Sequence, residues 1–317
     1  MKKWLITAGV LVALGVIIFA SAMIAYGWDF TRLTTVKYTT NTYEINEAFK
    51  DISVNTDTAY ISFVFSGDEV CKVECYENES VKHSVSVSNE ILNIDIKDER
   101  KWYEHIGIGF EIPKITVYLP ENEYVSLVIN EDTGDVEIPK DFKFGSLDIK
   151  TSTGSVKNYA SVTEDAKIKT STGSIYIKGI SASTLELSVS TGGITAKDIT
   201  CDGDVKINVS TGKTELKNVT CASLLSRGST GDITLKDVIS KGKLSIERST
   251  GDVEFDGCDG EELFIKTDTG DVEGTLLTDK VFIISTDTGE IDVPKTTSGG
   301  KCEIKTDTGD VEINIVK

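Results

Sequence analysis

The chain has 317 residues, with 33 Lys and Arg against 51 Asp and Glu, a net charge of −18, and only 39% apolar and 8% aromatic residues. Removing the two N-terminal lysines leaves −20 for residues 29–317, which excludes nucleic acid and anionic lipid headgroups as partners for the bulk of the chain. Two His and four Arg leave few general bases or phosphate clamps, and the length suits one elongated domain or two ordinary ones.

From Leu5 to Tyr26 the chain is uncharged and mostly apolar over 22 residues. At about 1.5 Å per helical residue that run crosses a hydrocarbon layer of about 30 Å. The expectation is a transmembrane helix within residues 1–28. Lys2 and Lys3 hold its N-terminus in the cytoplasm, Tyr26 and Trp28 sit at the far interface, and the C-terminal part faces outside the cell. Ala20-Ser21-Ala22 has the small-x-small form of a cleavage site, so a removed signal peptide is the competing reading. Either way the rest of the chain is exported. Residues 29–47 read as a linker.

Residues 48–126 read as irregular β structure. Ile91-Leu92-Asn93-Ile94-Asp95-Ile96 and Ile115-Thr116-Val117-Tyr118-Leu119 alternate with period two. Within this region Ile52 to Phe63 reads as a degenerate rung with Ala59 in a glycine slot, and the remainder as a cap. The stretch Trp102 to Phe110 reads as an aromatic plug over the end of the core, or as a binding lip.

Residues 127–317 carry a repeat. Thr-Gly, preceded by Ser or Asp, recurs at Gly134, Gly154, Gly173, Gly192, Gly212, Gly231, Gly251, Gly270, Gly289 and Gly309, always 19 or 20 residues apart. Apolar residues fall at −7, −5, +2 and +4 from each glycine, and often at +7, which predicts two short strands around a turn. Thr214 is a lapse in this pattern. Such a unit cannot close a core alone, but stacked copies bury each other's faces. The predicted fold is therefore all-β, a parallel β-helix or β-solenoid of about ten rungs, forming a rod roughly 45–50 Å long at about 4.8 Å per rung. Glycine supplies positive φ at the turn, and the preceding Ser or Asp bonds the turn backbone. Val311 to Lys317 reads as an exposed last edge, a candidate for docking or end-to-end self-association.

The apolar N-terminal segment followed by Gly27-Trp28-Asp29-Phe30, the strand end Tyr118-Leu119-Pro120 and the Ser/Asp-Thr-Gly-Asp/Ser-Val/Ile units make the chain resemble the bacterial "putative adhesin" family, domain of unknown function 4097. The resemblance covers nearly the whole chain. It implies a membrane-anchored, exported β-strand-repeat protein of the cell envelope, with no family catalytic residues to carry over.

Several constellations compete with a purely structural reading. Asp-Thr-Gly is also the aspartic-protease triplet, but Asp132, Asp268, Asp287 and Asp307 occupy slots that other copies fill with Ser, so they read as turn residues. Asp268, Asp271, Asp287, Glu290, Asp307 and Asp310 form columns of like charge on stacked rungs, about 5 Å apart, where calcium is the candidate cation. The alternative is a solvated acidic face balanced by lysines. Arg227 and Arg248, near Asp232 and Asp252, are the one place to seek lyase or hydrolase chemistry; the short loops argue against a cleft, and Arg248 is expected to snorkel. Cys201 and Cys221 stack one rung apart at a spacing compatible with a disulfide. No zinc-site spacing of Cys and His stands out.

The reading is a non-enzymatic, single-pass cell-membrane protein with no cofactor unless calcium. Its extracellular acidic solenoid serves adhesion or scaffolding for an unknown protein or envelope polymer. The alternatives are an accessory component of envelope-stress signalling and a calcium-binding surface module.

Overall fold

In the computed structural model, residues 2–29, 36–67, 70–98 and 111–316 are described. The aromatic stretch from Trp102 to Phe110 lies outside them, as do Phe30 and Lys317. Helix α1 (Lys2–Ala25) is apolar and exposed almost throughout, with a mean hydropathy of 2.5 over its most apolar stretch. The described remainder is all-β.

The repeat forms the solenoid expected. Strands before the glycines stack in parallel on one wall, with Ile149 beside Ile168 and Leu187 beside Ile207. Strands after the glycines stack on a second wall, with Ile194 flanked by Ile175 and Thr214. The period-two alternation therefore becomes a ladder of like residues. Ile129, Ile149, Ile168, Leu187 and Ile207, then Ile246, Ile265 and Ile304 beyond Ser226, line one column of the interior, each fully buried. A left-handed residue six positions past the glycine bends the second wall in five successive rungs, at Gly179, Asp198, Asn218, Asp237 and Gly257. Gly, Asn and Asp are the residue types that visit this conformation.

The solenoid extends further back than the glycine count. Strands β1 (Tyr38–Ile45), β2 (Asp51–Thr58), β3 (Tyr60–Phe65), β4 (Cys71–Asn78), β5 (Val81–Ser88), β6 (Ile91–Asp98), β7 (Lys114–Leu119), β8 (Glu123–Thr133) and β9 (Val136–Ile138) build its beginning. β2 lies parallel to β8 and β3 to β9, so the Ala59 segment is a rung. β6 and β7 add a parallel layer on its other side. Then the direction reverses: β5 runs antiparallel to β6, β4 to β7, and β1 to β4. The β5–β6 turn has Asn89 and Glu90 both at positive φ, the hairpin geometry whose twist matches the strands. The cap is thus an antiparallel collar. It includes β1, which falls inside the stretch read as a linker; its alternating Tyr43 and Ile45 pack against the core.

The far end departs from sequence order. The C-terminal strand Val311–Ile315 lies between Val272–Leu276 and Ile291–Asp292, and Gly300–Thr308 lies between Val253–Thr269 and Lys280–Thr288. The last rung in sequence is therefore an inner rung: within the expected edge, Val311 and Glu312 are paired on both sides, and Ile313–Ile315 are paired with Gly274–Leu276. The rung of Gly289 is outermost. Pro294 suits this place: it stands just past the two-residue strand Ile291–Asp292, and a residue without an N–H is tolerated at a sheet edge. Lys280, 3% exposed, fastens the chain where it skips a layer, reaching Asp259 Oδ1 at 2.6 Å, Gly260 O at 2.8 Å and Thr278 Oγ1 at 2.7 Å.

Candidate functional site

The repeat's chemistry-bearing residues are placed by the turns. All ten repeat glycines have φ between 123° and 155°. A Cβ on Gly192 would come within 1.9 Å of the Gly173 carbonyl oxygen below it, so stacking as well as backbone conformation demands glycine. The Thr170, Thr267 and Thr306 hydroxyls, three positions before their glycines, donate to the glycine carbonyls of the adjacent rung.

The acidic column one position after the glycine acts as a hydrogen-bonding ladder. Asp252 Oδ1 accepts from Asp271 N at 2.9 Å, Asp271 Oδ1 from Asp310 N at 2.8 Å, and Asp310 Oδ1 from Glu290 N at 2.7 Å. Ser155 and Ser174 do the same work in earlier rungs, which is why Asp and Ser interchange there. Because of the altered rung order, Asp310 stands between Asp271 and Glu290. Asp287 and Asp307 are exposed at the turn, and Asp268 is half-buried there, 3.1 Å from Lys266. Among the described residues, these carboxylates do not gather three ligand oxygens within 4.8 Å of one another.

Arg248 does not snorkel. Its side chain is 4% exposed and enters the core, donating to Ser226 Oγ at 2.9 Å, Thr214 Oγ1 at 3.3 Å and Glu247 O at 2.9 Å. Burial draws its pKa down to about 10. A Cβ on Gly228 would lie 3.1 Å from the guanidinium carbon, so the arginine fills the space that this glycine leaves. Thr214, Ser226 and Gly228, three departures from the apolar pattern, thus answer one buried side chain. Arg227 faces outward and pairs with Glu247 through two hydrogen bonds of 3.2 and 3.3 Å.

All six cysteines are free thiols and buried. Cys201 and Cys221 fall on adjacent rungs, one position beyond the paired Thr200 and Thr220, but each thiol donates to a backbone carbonyl: Cys201 to Ser183, Cys221 to Ile239. In-register parallel strands hold Cβ atoms about 4.8 Å apart, beyond the usual span of a disulfide.

The cap holds a buried polar cluster that pattern reading missed. Cys75 and Glu77 lie two apart on β4 and face inward together. The turn at residues 79–80, where Ser80 N bonds Asn78 Oδ1 at 2.9 Å, carries β5 round so that His83 meets them. The three side chains bring one ligand atom each within 4.8 Å of one another. Glu77 Oε2 accepts from His83 Nδ1 at 2.6 Å and from His83 N at 2.7 Å, while Oε1 accepts from Asn41 at 2.6 Å. Burial alone would raise the Glu77 carboxyl, yet these bonds hold it below its ordinary value. Thr56 Oγ1 lies 2.8 Å from His83 Nε2. The next rung places Glu131 beside Thr56, 4% exposed, with Oε2 unbonded, and burial pushes its pKa up to about 8. The only sequence signal was the inward phase of Cys75 and Glu77; the approach of His83 depends on the collar.

The model of the family described as Toastrack DUF4097 matches residues 49–209 and 199–317. The chain belongs to that family. Its fold recurs in one of the solved structures it is similar to at low identity. A "putative adhesin" from Parabacteroides distasonis is 12% identical, with 89% of this chain and 98% of that chain covered and a TM-score of 0.52. A "putative lipid binding protein" from the same species is 16% identical (87% and 97% covered, TM-score 0.48), and a "putative adhesin" from Bacteroides fragilis is 15% identical (88% and 97% covered, TM-score 0.40). No protein among those with curated descriptions matches the chain.

Proposed function

We propose that this Toastrack protein is a non-catalytic surface module of the cell envelope, held to the membrane by α1 and presenting its rod to a macromolecular partner. The observation that carries this reading is how the repeat spends its polar side chains. The Asp or Ser after seven of the ten glycines bonds the next rung, and Arg248 is sealed in the core, so the polar side chains that recur from rung to rung build the rod. The word adhesin in the name of the Parabacteroides distasonis structure with a TM-score of 0.52 agrees with such a role.

The outermost rung is the docking end in this reading. Val281, Ile283 and Ile291 are each at least 38% exposed there, beside strand edges with no further rung, so a protein or envelope polymer, or a second copy, meets it end-on. Fractionation of cells expressing the full chain, followed by protease treatment of intact cells, tests the placement. The full-length chain should stay with membranes after an alkaline wash, and its rod should be cut from outside. A chain released into the soluble cytoplasmic fraction contradicts it. A photo-crosslinking residue at Ile283, compared with one at Thr195 in mid-rod, then tests the docking end: adducts concentrated at Ile283 agree, and equal yields at both positions contradict.

A further inference from the structure

We infer that Cys75, Glu77 and His83 form a transition-metal site of the zinc class in the cap, with three protein ligands and a fourth position for water. Thiolate, carboxylate and imidazole are the donor set that Zn2+ accepts, and three protein ligands plus water is a recurrent arrangement for it. A tetrahedral ion with bonds of about 2.0–2.3 Å holds its ligand atoms about 3.3–3.8 Å apart. Here the three atoms already lie within 4.8 Å of one another, and Nδ1 and Oε2 stand at 2.6 Å. The pair must open and the sulfur must close in, each by about an ångström or less.

The surroundings match what a metal requires of its outer contacts. A ligating His is normally fixed by a hydrogen bond at its other nitrogen, and a ligating carboxylate by one at its other oxygen. Thr56 stands at Nε2, and Asn41 donates to Oε1. That leaves Nδ1, Oε2 and the Cys75 sulfur as the atoms turned toward each other. On binding, the proton between Nδ1 and Oε2 moves by way of solvent to Nε2, the ion takes its place at Nδ1 and Oε2, and Thr56 accepts from Nε2–H. A hydroxyl both gives and takes, so Thr56 serves either tautomer. The Cys75 thiol loses its proton to solvent. Thiolate and carboxylate then neutralise the dication inside the collar.

There is also a way in. A solvent-open cleft of about 330 Å³ is lined by Tyr38, Asp57, Glu77, His83 and Glu111, so its mouth adds two carboxylates that attract a cation. The inference stands apart from the adhesion reading, since the collar would hold the ion whatever the rod meets.

The test uses the full-length protein in detergent, stripped of metal and titrated with Co2+, then with Zn2+. One equivalent of Co2+ should bind and produce a near-ultraviolet thiolate-to-cobalt band with tetrahedral visible bands, and Zn2+ should displace it. Cys75→Ser should lose the near-ultraviolet band, and His83→Gln should weaken binding at least tenfold. Thr56→Val should keep the band but bind roughly ten- to a hundredfold more weakly. No stoichiometric uptake by the wild-type protein, or a thiolate band that survives Cys75→Ser, overturns the site. Should His83→Gln fail to fold, the wild-type stoichiometry and the Cys75→Ser spectrum decide.

Discussion

The rungs and the cap use the same strands and the same alternation, yet they store their stability in different ways. In the rungs, most slots face their own kind one layer away, so a few rules recur along the rod: aliphatic on aliphatic, threonine hydroxyl to glycine carbonyl in four rungs, Asp or Ser to the next backbone N–H in seven. In the cap, antiparallel strands bring together residues with no periodic relation, such as Thr56, Glu77 and His83, and a buried polar cluster replaces the aliphatic ladder. The rod tolerates repetition because every layer is interchangeable. The collar ends it with contacts found nowhere else.

The largest test of this contrast substitutes glycines of two kinds. Gly192→Val meets a backbone oxygen at 1.9 Å in a φ of +135° and should cost more than about 3 kcal/mol by denaturant melts, or abolish folding. Gly179→Ala has open space around it and only the positive φ to oppose it, so about 1 kcal/mol is expected. Equal losses would mean that close stacking of the turns is not what the repeat glycines provide.

Arg248→Ala comes next. It leaves a cavity and strips the partner from Thr214 and Ser226, for an expected loss of about 2–4 kcal/mol in the same melts. A loss under about 0.5 kcal/mol would place the side chain at the surface.

Where rod meets cap, Glu131 supplies a pH dependence. Its folded-state pKa of about 8 lies above the ordinary carboxyl value of 4.5, so between those limits the folded chain holds a proton that the unfolded chain has released. This group's contribution is therefore full below about pH 4.5 and declines as pH rises to 8, at up to about 1.4 kcal/mol per unit. Glu131→Gln should flatten that decline and raise the melting temperature at pH 8. A variant less stable than wild type at pH 8 would contradict it.

The smallest effects belong to the acidic face and the thiols. Calcium at millimolar concentration should raise the melting temperature by about a degree or two through screening, and magnesium equally, because the ladder carboxylates already hold backbone N–H groups. A reducing agent should leave the melting temperature unchanged, since the cysteines are buried thiols.

Much of this was readable in the sequence for the same reason that the rod is regular. A spacing of 19 or 20 residues with aliphatics at fixed offsets gives both strands and their stacking, and even Ala59 could be assigned to a glycine slot. The order of the last rungs was not readable. Because every rung fits every other, the offsets name a slot without naming its neighbour; Pro294 and the buried Lys280 suit the order that results. Arg248 looked like a surface residue because its three accommodating lapses lie 20 to 34 positions earlier. The column of Gly179, Asp198, Asn218, Asp237 and Gly257 was visible in composition, and its left-handed backbone needed the structure. The Cys75, Glu77 and His83 cluster was hidden because a hairpin and two layers of collar create it.

Amide hydrogen exchange across the far end tests most directly whether layers stack by fit and not by sequence order. The account predicts that the amides of Val311 and Glu312, within Val311–Ile315, are protected as strongly as those of Val272–Leu276, while Ile291–Asp292 and the outer edge of Lys280–Thr288 exchange first. Fast exchange at Val311 and Glu312 with strong protection at Ile291–Asp292 would contradict it and restore the sequential stack.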